Sequence, residues 1–389
     1  MVRGDKRLSD GLVVVVFIGA LILPWAGMWL PLDPTPAPTE NRMLEAKPTA
    51  PRRFRDLPAY AMQYRLYFSD HFGFRRLLLR WHADLKLAIG DSPSAKVLVG
   101  RNGWLFYTGD AAVDDYAGQH PLPPAGVRAW IDMLEARRQF VAARGGQYLF
   151  VVAPDKTTIY SEYLPAGIDQ LGPTTMDQLL LATREQRDSP FFVPDGPLRN
   201  AKRDGLVYYR TDTHWTSLGK RTASRALLAH LGIHVPLMRT EYETRTVTFE
   251  LGGDLSRMLD ASGRFSETIE KTEPTAIAVR PHIEEEVSCH EPSLARTASC
   301  TVLHLDQRDA GSSTLMFGDS FGEGVAPYVA MGFDRFTYVP IYPDSASFRA
   351  FVERFRPSVV IEERTERSLK YPPRDTPDGD NRNKWLAAE

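Results

Sequence analysis

Two short motifs far apart in the chain hold the three groups that turn a serine into an acyl-accepting nucleophile. They are Asp212-Thr213-His214-Trp215 and Gly318-Asp319-Ser320. A carboxylate that holds one imidazole nitrogen leaves the other free to take a hydroxyl proton. Gly-Asp-Ser occurs twice, and context separates the copies. Gly90-Asp91-Ser92 follows a helical stretch and precedes Pro93, so it reads as a loop. Gly318-Asp319-Ser320 follows Leu315-Met316-Phe317 and leads into Phe321-Gly322-Glu323-Gly324, which is a strand, a glycine turn and a helix start. In open α/β sheets ligands bind beyond the carboxyl ends of the strands, and an N–H at a helix start suits an oxyanion. Ser320 read alone serves equally as a helix cap.

Asp212 and His214 are two residues apart after Val207-Tyr208-Tyr209, which places both on one face of an extended segment. Trp215 offers a flat apolar face for stacking a sugar ring or for core packing. Lys156, just after an apolar strand, is expected at the same sheet edge as Ser320. It reads as a substrate-binding candidate or as a solvated loop lysine. Tyr160 and Arg367 are further substrate-binding candidates. Glu363, Glu366 and Arg367 follow the last strand and either border the site or pair on the surface.

The elements that must position these groups alternate. Helices are expected at Gly126 to Arg144, Thr174 to Arg187, Ser217 to Leu231 and Ser345 to Phe355. Strands are expected at Tyr148 to Ala153, Phe191 to Val193, Val207 to Tyr209, Thr314 to Phe317, Phe336 to Ile341 and Val359 to Ile361. This rhythm predicts an α/β fold, a mostly parallel sheet covered on both faces. Upstream, Tyr60 to Ile89 reads as one amphipathic helix. Val97 to Tyr107 reads as a hairpin turning at Asn102-Gly103, and Val113 to Pro124 as loop. From 236 to 313 the rhythm breaks into a β-rich insertion, with short runs at Tyr242 to Leu251 and Thr275 to Val279, and Thr301 to Leu305 rejoining the core.

The 389 residues carry 47 basic and 49 acidic side chains, a net charge of −2, and so no whole-chain basic field for nucleic acid. Arg3, Lys6 and Arg7 precede an uncharged apolar stretch from Gly11 to about Leu32, long enough to span a bilayer with the basic end cytoplasmic. It is read as an uncleaved anchor, a cleaved signal peptide being the alternative. The expected organisation is a cytoplasmic segment 1–10, a transmembrane anchor 11–32, an extended linker 33–58, a catalytic domain 59–370 and a disordered tail 371–389. Cys289 and Cys300 could pair in an oxidising compartment, contributing about 2–3 kcal/mol, or remain free thiols. No metal-ligand spacing is evident, and neither a metal nor a cofactor is expected.

In this layout the chain resembles the periplasmic alginate O-acetyltransferases, whose catalytic domain is SGNH-hydrolase-like, a three-layer α/β/α fold. The resemblance runs from roughly Glu40 to Arg367. It is carried by Glu40-Asn41-Arg42, by Asn102-Gly103-Trp104-Leu105-Phe106, by Pro154-Asp155-Lys156-Thr157-Thr158-Ile159-Tyr160 with Tyr163-Leu164-Pro165, and by the Asp212 and Ser320 motifs. The Asp/His motif precedes the Ser motif, as in the acetyltransferase branch. The resemblance implies Ser320 as acetyl-accepting nucleophile, His214 as general base and acid, and Asp212 as orienter. It also implies an exopolysaccharide acceptor, a membrane-bound O-acyltransferase as acetyl donor, a polysaccharide secretion complex, and a periplasmic site anchored in the inner membrane. A polysaccharide acetylesterase and a non-catalytic polysaccharide-binding scaffold are the alternatives. The asparagine of the SGNH pattern has no assignable match.

Overall fold

The computed structural model describes residues 3–29, 44–184, 188–235, 242–250, 252–259, 264–274, 282–289, 298–304 and 312–373. The chain divides into two compact units, Met1–Ser94 with Ser256–Arg264, and Ala95–Leu255 with Phe265–Glu389.

The first unit holds three long helices, α1 (Arg3–Trp29), α2 (Leu57–His71) and α3 (Arg75–Ala88). In α1 the window Gly11–Met28 has a mean hydropathy of 2.3 and is wholly unburied, so α1 is long and apolar enough to cross a membrane. The single helix expected from Tyr60 to Ile89 is two, because Phe74 adopts a left-handed φ of 62°. Gly73 beside it lies so close to Gly27 of α1 that an added Cβ would sit 2.3 Å from the Gly27 Cα. The Gly73 N–H donates to the Pro24 carbonyl at 2.8 Å. The chain breaks where two backbones touch, a contact that amphipathic spacing does not report.

The second unit is a three-layer α/β/α arrangement, as expected. Strands β1 (Val97–Val99) and β2 (Leu105–Tyr107) form the early hairpin. Its turn spans five residues rather than two, with Asn102 and Gly103 both at positive φ. The central sheet contains β3 (Gln147–Ala153), β4 (Phe191–Phe192), β9 (Ser313–Phe317), β10 (Arg335–Val339) and β11 (Val359–Thr365). They lie in the order β10-β9-β11-β3-β4 with every neighbouring pair parallel. Strand alternation sorts the core. Leu149, Val151 and Ala153 face α9 (Ser217–His230) and α11 (Ser320–Ala330). Tyr148, Phe150 and Val152 face α5 (Pro124–Ala142), α7 (Thr175–Thr183) and α12 (Ser345–Phe355).

The insertion is β-rich. Strand β5 (Tyr242–Phe249) pairs antiparallel with β6 (Glu267–Pro274), and β7 (His282–Cys289) with β8 (Ala298–His304). The run expected to rejoin the core at Thr301 to Leu305 falls, as far as residue 304, in β8, which pairs with β7 and also lies against β10 of the central sheet. The Cys289 and Cys300 side chains, the Thr275 to Val279 run and tail residues 374–389 lie outside the described residues. Short helices α4 (Ala112–Tyr116), α6 (Lys156–Ile159), α8 (Asp195–Ala201) and α10 (Asp254–Met258) have no strong periodic signal in the sequence. The Val207 to Tyr209 strand reduces to one antiparallel bridge, Tyr208 to Trp215, which closes a loop carrying Asp212 and His214.

Candidate active site

Ser320 sits where β9 passes through Gly318 and Asp319 into α11, at the carboxyl edge of the sheet. Helix geometry leaves the first-turn amides without intrahelical acceptors. The Phe321 N–H is taken by Asp319 Oδ1 at 2.8 Å. That leaves the Ser320 N–H at the helix start, beside its own hydroxyl, where it can donate to an oxyanion. Glu363 supports the turn from β11, its Oε2 accepting the Asp319 N–H at 3.2 Å. Tyr338 donates to the Asp319 carbonyl at 2.6 Å, and the Tyr342 hydroxyl donates to Asp319 Oδ2. An added Cβ at Gly318 or Gly322 would fall 2.7 Å from the Glu363 carboxyl, so both positions need glycine.

The structure brings the three sequence-predicted groups together. His214 Nε2 lies 2.9 Å from Ser320 Oγ, and His214 Nδ1 lies 2.7 Å from Asp212 Oδ1. An ionised carboxylate only accepts, so Nδ1 carries the proton and Nε2 is free to take one from the serine. Burial opposes the imidazolium, but the Asp212 hydrogen bond and charge outweigh it and lift the His214 pKa above its ordinary 6.5. Burial likewise opposes the Asp212 carboxylate. The bond to His214 and the amides of Asp254 and His214 nevertheless hold its pKa well below the usual carboxylate range. Asp212 and His214 do not lie on one face of a strand. Asp212 Oδ1 accepts the His214 N–H at 3.0 Å, a side-chain turn that folds the imidazole back over its carboxylate.

The other candidates sit differently from expectation. Trp215 is buried at 2% exposure against Phe321 and Tyr208, so it packs the core and offers no ring face to a sugar. Tyr160 is equally buried, packs at a tilt against the Trp104 ring and accepts the Val207 N–H at 3.0 Å. Lys156 is not a solvated lysine, although it borders the recess that Arg367 lines. It is buried, and its ammonium donates to the carbonyls of Tyr209, Arg210 and Asp212 at 3.1, 3.2 and 2.8 Å. Arg367 remains at the site. Its guanidinium bonds Asp155 at 2.5 Å and lies 5.5 Å from the Phe321 ring centre. With Phe106, Tyr107 and Thr213 it lines a small recess beside the histidine loop. Glu363 and Glu366 are buried rather than paired on the surface.

Sequence reasoning missed three residues of the insertion. The Asp254 N–H donates to Asp212 Oδ2 at 2.9 Å, and its carboxylate accepts the Thr213 N–H and hydroxyl at 2.8 and 2.5 Å. Glu267 accepts the N–H groups of Arg210 and Thr211 at 2.7 and 3.0 Å and the Thr211 hydroxyl at 2.8 Å. Gly253 packs on Asp212. The only available signal was Gly252-Gly253-Asp254, a turn with a helix-start acid. Asp212, His214 and Asp254 lie close enough to suggest a metal cluster. Their donor atoms are committed to one another and to Thr213, which fits hydrogen bonding rather than ligation. A hollow of about 760 Å³ beside Leu218, Arg225 and Tyr328 contains none of these groups.

Residues 97–288 match the family model described as "SGNH hydrolase-like domain, acetyltransferase AlgX". That span includes Lys156, Asp212 and His214 but ends before Ser320. Among curated relatives, the probable alginate O-acetylase AlgJ of Pseudomonas syringae pv. tomato is 25% identical over 210 residues, 53% of this chain and 52% of that protein. The Pseudomonas aeruginosa protein of the same description is 29% identical over 176 residues, 44% and 42% of the two chains. This chain thus spans about half or less of the length of the curated relatives it matches. Among solved structures, the O-acetyltransferase domain of Pseudomonas putida AlgJ aligns over 70% of this chain and 92% of that one, at 19% identity and a TM-score of 0.44. The motif resemblance is borne out by the match of residues 97–288 to this SGNH-hydrolase-like acetyltransferase model.

Proposed function

We propose that the protein is an O-acetyltransferase that passes acetyl through Ser320 to hydroxyls of an exopolysaccharide. One observation carries this reading, the continuous line from Ser320 Oγ through His214 to Asp212 at 2.9 and 2.7 Å. In the first half-reaction His214 Nε2 takes the Ser320 proton as Oγ bonds to the donor's acetyl carbon. The carbonyl oxygen becomes an oxyanion facing the Ser320 N–H. The donor's leaving group departs with the proton from His214, leaving acetyl-Ser320. In the second half-reaction a sugar hydroxyl gives its proton to His214 and attacks the same carbon. Ser320 Oγ leaves and recovers the proton. Asp212 stabilises the imidazolium in both halves.

The relatives' description as alginate O-acetylases supports a polysaccharide acceptor. The basic residues before the apolar helix support anchoring in the inner membrane with the catalytic unit in the periplasm. A membrane-bound O-acyltransferase as donor and a polysaccharide secretion complex complete the reading.

The alternative acceptor is water, and one feature favours it. The Ser320–His214 pair is exposed to solvent. The discriminating experiment supplies 4-nitrophenyl acetate with and without an oligosaccharide. Acetylated sugar supports transfer, and free acetate alone supports an acetylesterase. Ser320→Ala should lower turnover by ~10³-fold or more. Equal turnover by both proteins would remove Ser320 from the chemistry and leave a polysaccharide-binding scaffold.

A further inference from the structure

We propose that Lys156 is a positioning residue for the acetyl-transfer chemistry, holding the Asp212–His214 loop in its catalytic shape by cross-linking three of that loop's carbonyl groups. The inference deepens the proposed function and rests on it for the identity of the reaction. The positioning itself rests on geometry alone.

The loop from Tyr209 to His214 is neither helix nor strand, and beyond its internal bonds from the Tyr209 N–H to the His214 carbonyl and from the His214 N–H to Asp212 its backbone groups need partners from elsewhere. The partners divide by sign. Glu267 takes the N–H groups of Arg210 and Thr211, and Asp254 takes that of Thr213. Both come from the insertion. On the carbonyl side Lys156 takes Tyr209, Arg210 and Asp212, while Arg210 also accepts the Leu105 N–H at 2.9 Å. An ammonium has three protons, and all three are used. None remains for a substrate. Lys156 is 5% exposed, with the Phe106 and Trp104 rings 5.5 and 5.8 Å from its nitrogen.

The arrangement depends on the proton count. A neutral amine keeps two protons and gains a lone pair, so one of the three carbonyls would face a lone pair. Burial lowers the Lys156 pKa to about 8, against the attraction of Asp254, Asp212 and Glu267. Those three are the acids facing the ammonium. Asp155, next in the chain, is neutralised by Arg367. Activity should therefore fall as pH rises through about 8 while the fold does not weaken. A lysine with a lowered folded pKa is neutral when folded and still protonated when unfolded between about 8 and 10.5. The unfolded state then binds more protons, so this group's contribution to stability rises with pH in that window.

The test uses the full chain in detergent with 4-nitrophenyl acetate. In the parent, kcat should fall above pH 8 with no drop in thermal midpoint. Lys156→Met should lower kcat about 10–100-fold with KM unchanged, the expected cost of a small misplacement of the base. Lys156→Arg should recover part of that loss and keep its activity above pH 9. Imidazole NMR gives a readout that needs no turnover. Losing a cation beside Asp212 should raise the His214 pKa in Lys156→Met. If Ser320→Ala shows the reaction to be misassigned, the NMR shift still decides the positioning. A raised KM with kcat intact, an unchanged alkaline fall in Lys156→Arg, or an unshifted His214 titration would overturn the proposal. If Lys156→Met fails to fold, the parent's paired activity and melting profiles decide alone.

Discussion

The two halves of the site are built in opposite ways. The nucleophile stands on regular structure. β9 is paired on both sides by parallel strands, Phe317 lying opposite Val339 of β10 and Glu362 of β11. The sheet delivers Gly318 to its position, and the side chains of Glu363, Tyr338 and Tyr342 only tighten the turn that follows. The base stands on a loop with no ladder beyond the Tyr208–Trp215 bridge. Its shape is imposed by side chains from β6, α6 and the start of α10. A sheet edge tolerates change around it because its hydrogen bonds are shared among many residues. A loop held by a few side chains concentrates the same task in those few, and each should be costly to lose.

Asp212→Asn attacks the loop at its centre and should have the largest effect. Three N–H groups converge on the two Asp212 oxygens, from the His214 ring, the His214 backbone and the Asp254 backbone. An amide has one accepting oxygen, so at least one donor would meet its NH₂. Turnover of an aryl acetate should fall on the order of 10³–10⁴-fold, through loss of the correct tautomer. The acid limb should shift too. In the parent the neutral imidazole is the base, so activity rises with pH through a His214 pKa above 6.5. Without the Asp212 charge that limb moves to lower pH, as a pH–kcat profile would show. An unmoved limb would mean that His214 does not govern it.

Gly253→Ala probes the insertion side next. An added Cβ would lie 2.3 Å from the Asp212 Cβ and 2.7 Å from its Oδ2, so the carboxylate must move. Activity should drop by about 10²-fold, with a loss of stability of about 1–3 kcal/mol from overpacking. Comparing kcat with the denaturation midpoint separates the two. A stability loss with full activity would show that the loop re-forms around the methyl group and is less finely held than the hydrogen bonds imply.

The same contrast explains what the sequence disclosed. Ser320 was legible because an apolar strand, a glycine turn and a helix start are local patterns, and local patterns repeat with the period of the backbone. The parallel sheet was legible from its rhythm of elements for the same reason. Asp212 and His214 were legible as a motif, though not in their conformation, since an extended run and a side-chain-braced loop read alike over four residues. Lys156 was misread because its partners lie 53 to 56 positions away, and no spacing rule links a lysine to carbonyls at that distance. Asp254 and Glu267 were missed because the insertion carries no motif. Their chemistry is visible only as two acids reaching the backbone of another segment. Glu363 read either as bordering the site or as pairing on the surface, because charged side chains at a strand end are usually exposed. It is 1% exposed.

Glu363 and Glu267 offer the sharpest comparison, one buried acid from each half changed to its amide. Glu267 accepts three hydrogen bonds with its two oxygens, so Glu267→Gln loses acceptors and should destabilise by about 1.5–3 kcal/mol. Glu363 differs. Burial first, and then the nearby Asp319 charge, push its pKa well above the usual carboxylate range, which favours the protonated acid. An amide resembles the protonated acid, and Glu363→Gln should change activity by less than about 3-fold and stability by less than about 1 kcal/mol. Its signature is in pH dependence. A carboxyl whose folded pKa is raised holds its proton folded after the unfolded chain has released it. Its contribution is present below the unfolded value of about 4.5 and is lost as pH rises toward the folded pKa. Glutamine has no such slope. The melting midpoint of Glu363→Gln relative to the parent should therefore climb between pH 5 and pH 7. A difference that stays flat over that range would mean Glu363 is ionised in the fold. The nucleophile's turn would then depend on buried charge as much as the histidine's loop does, and the contrast between the halves would fail.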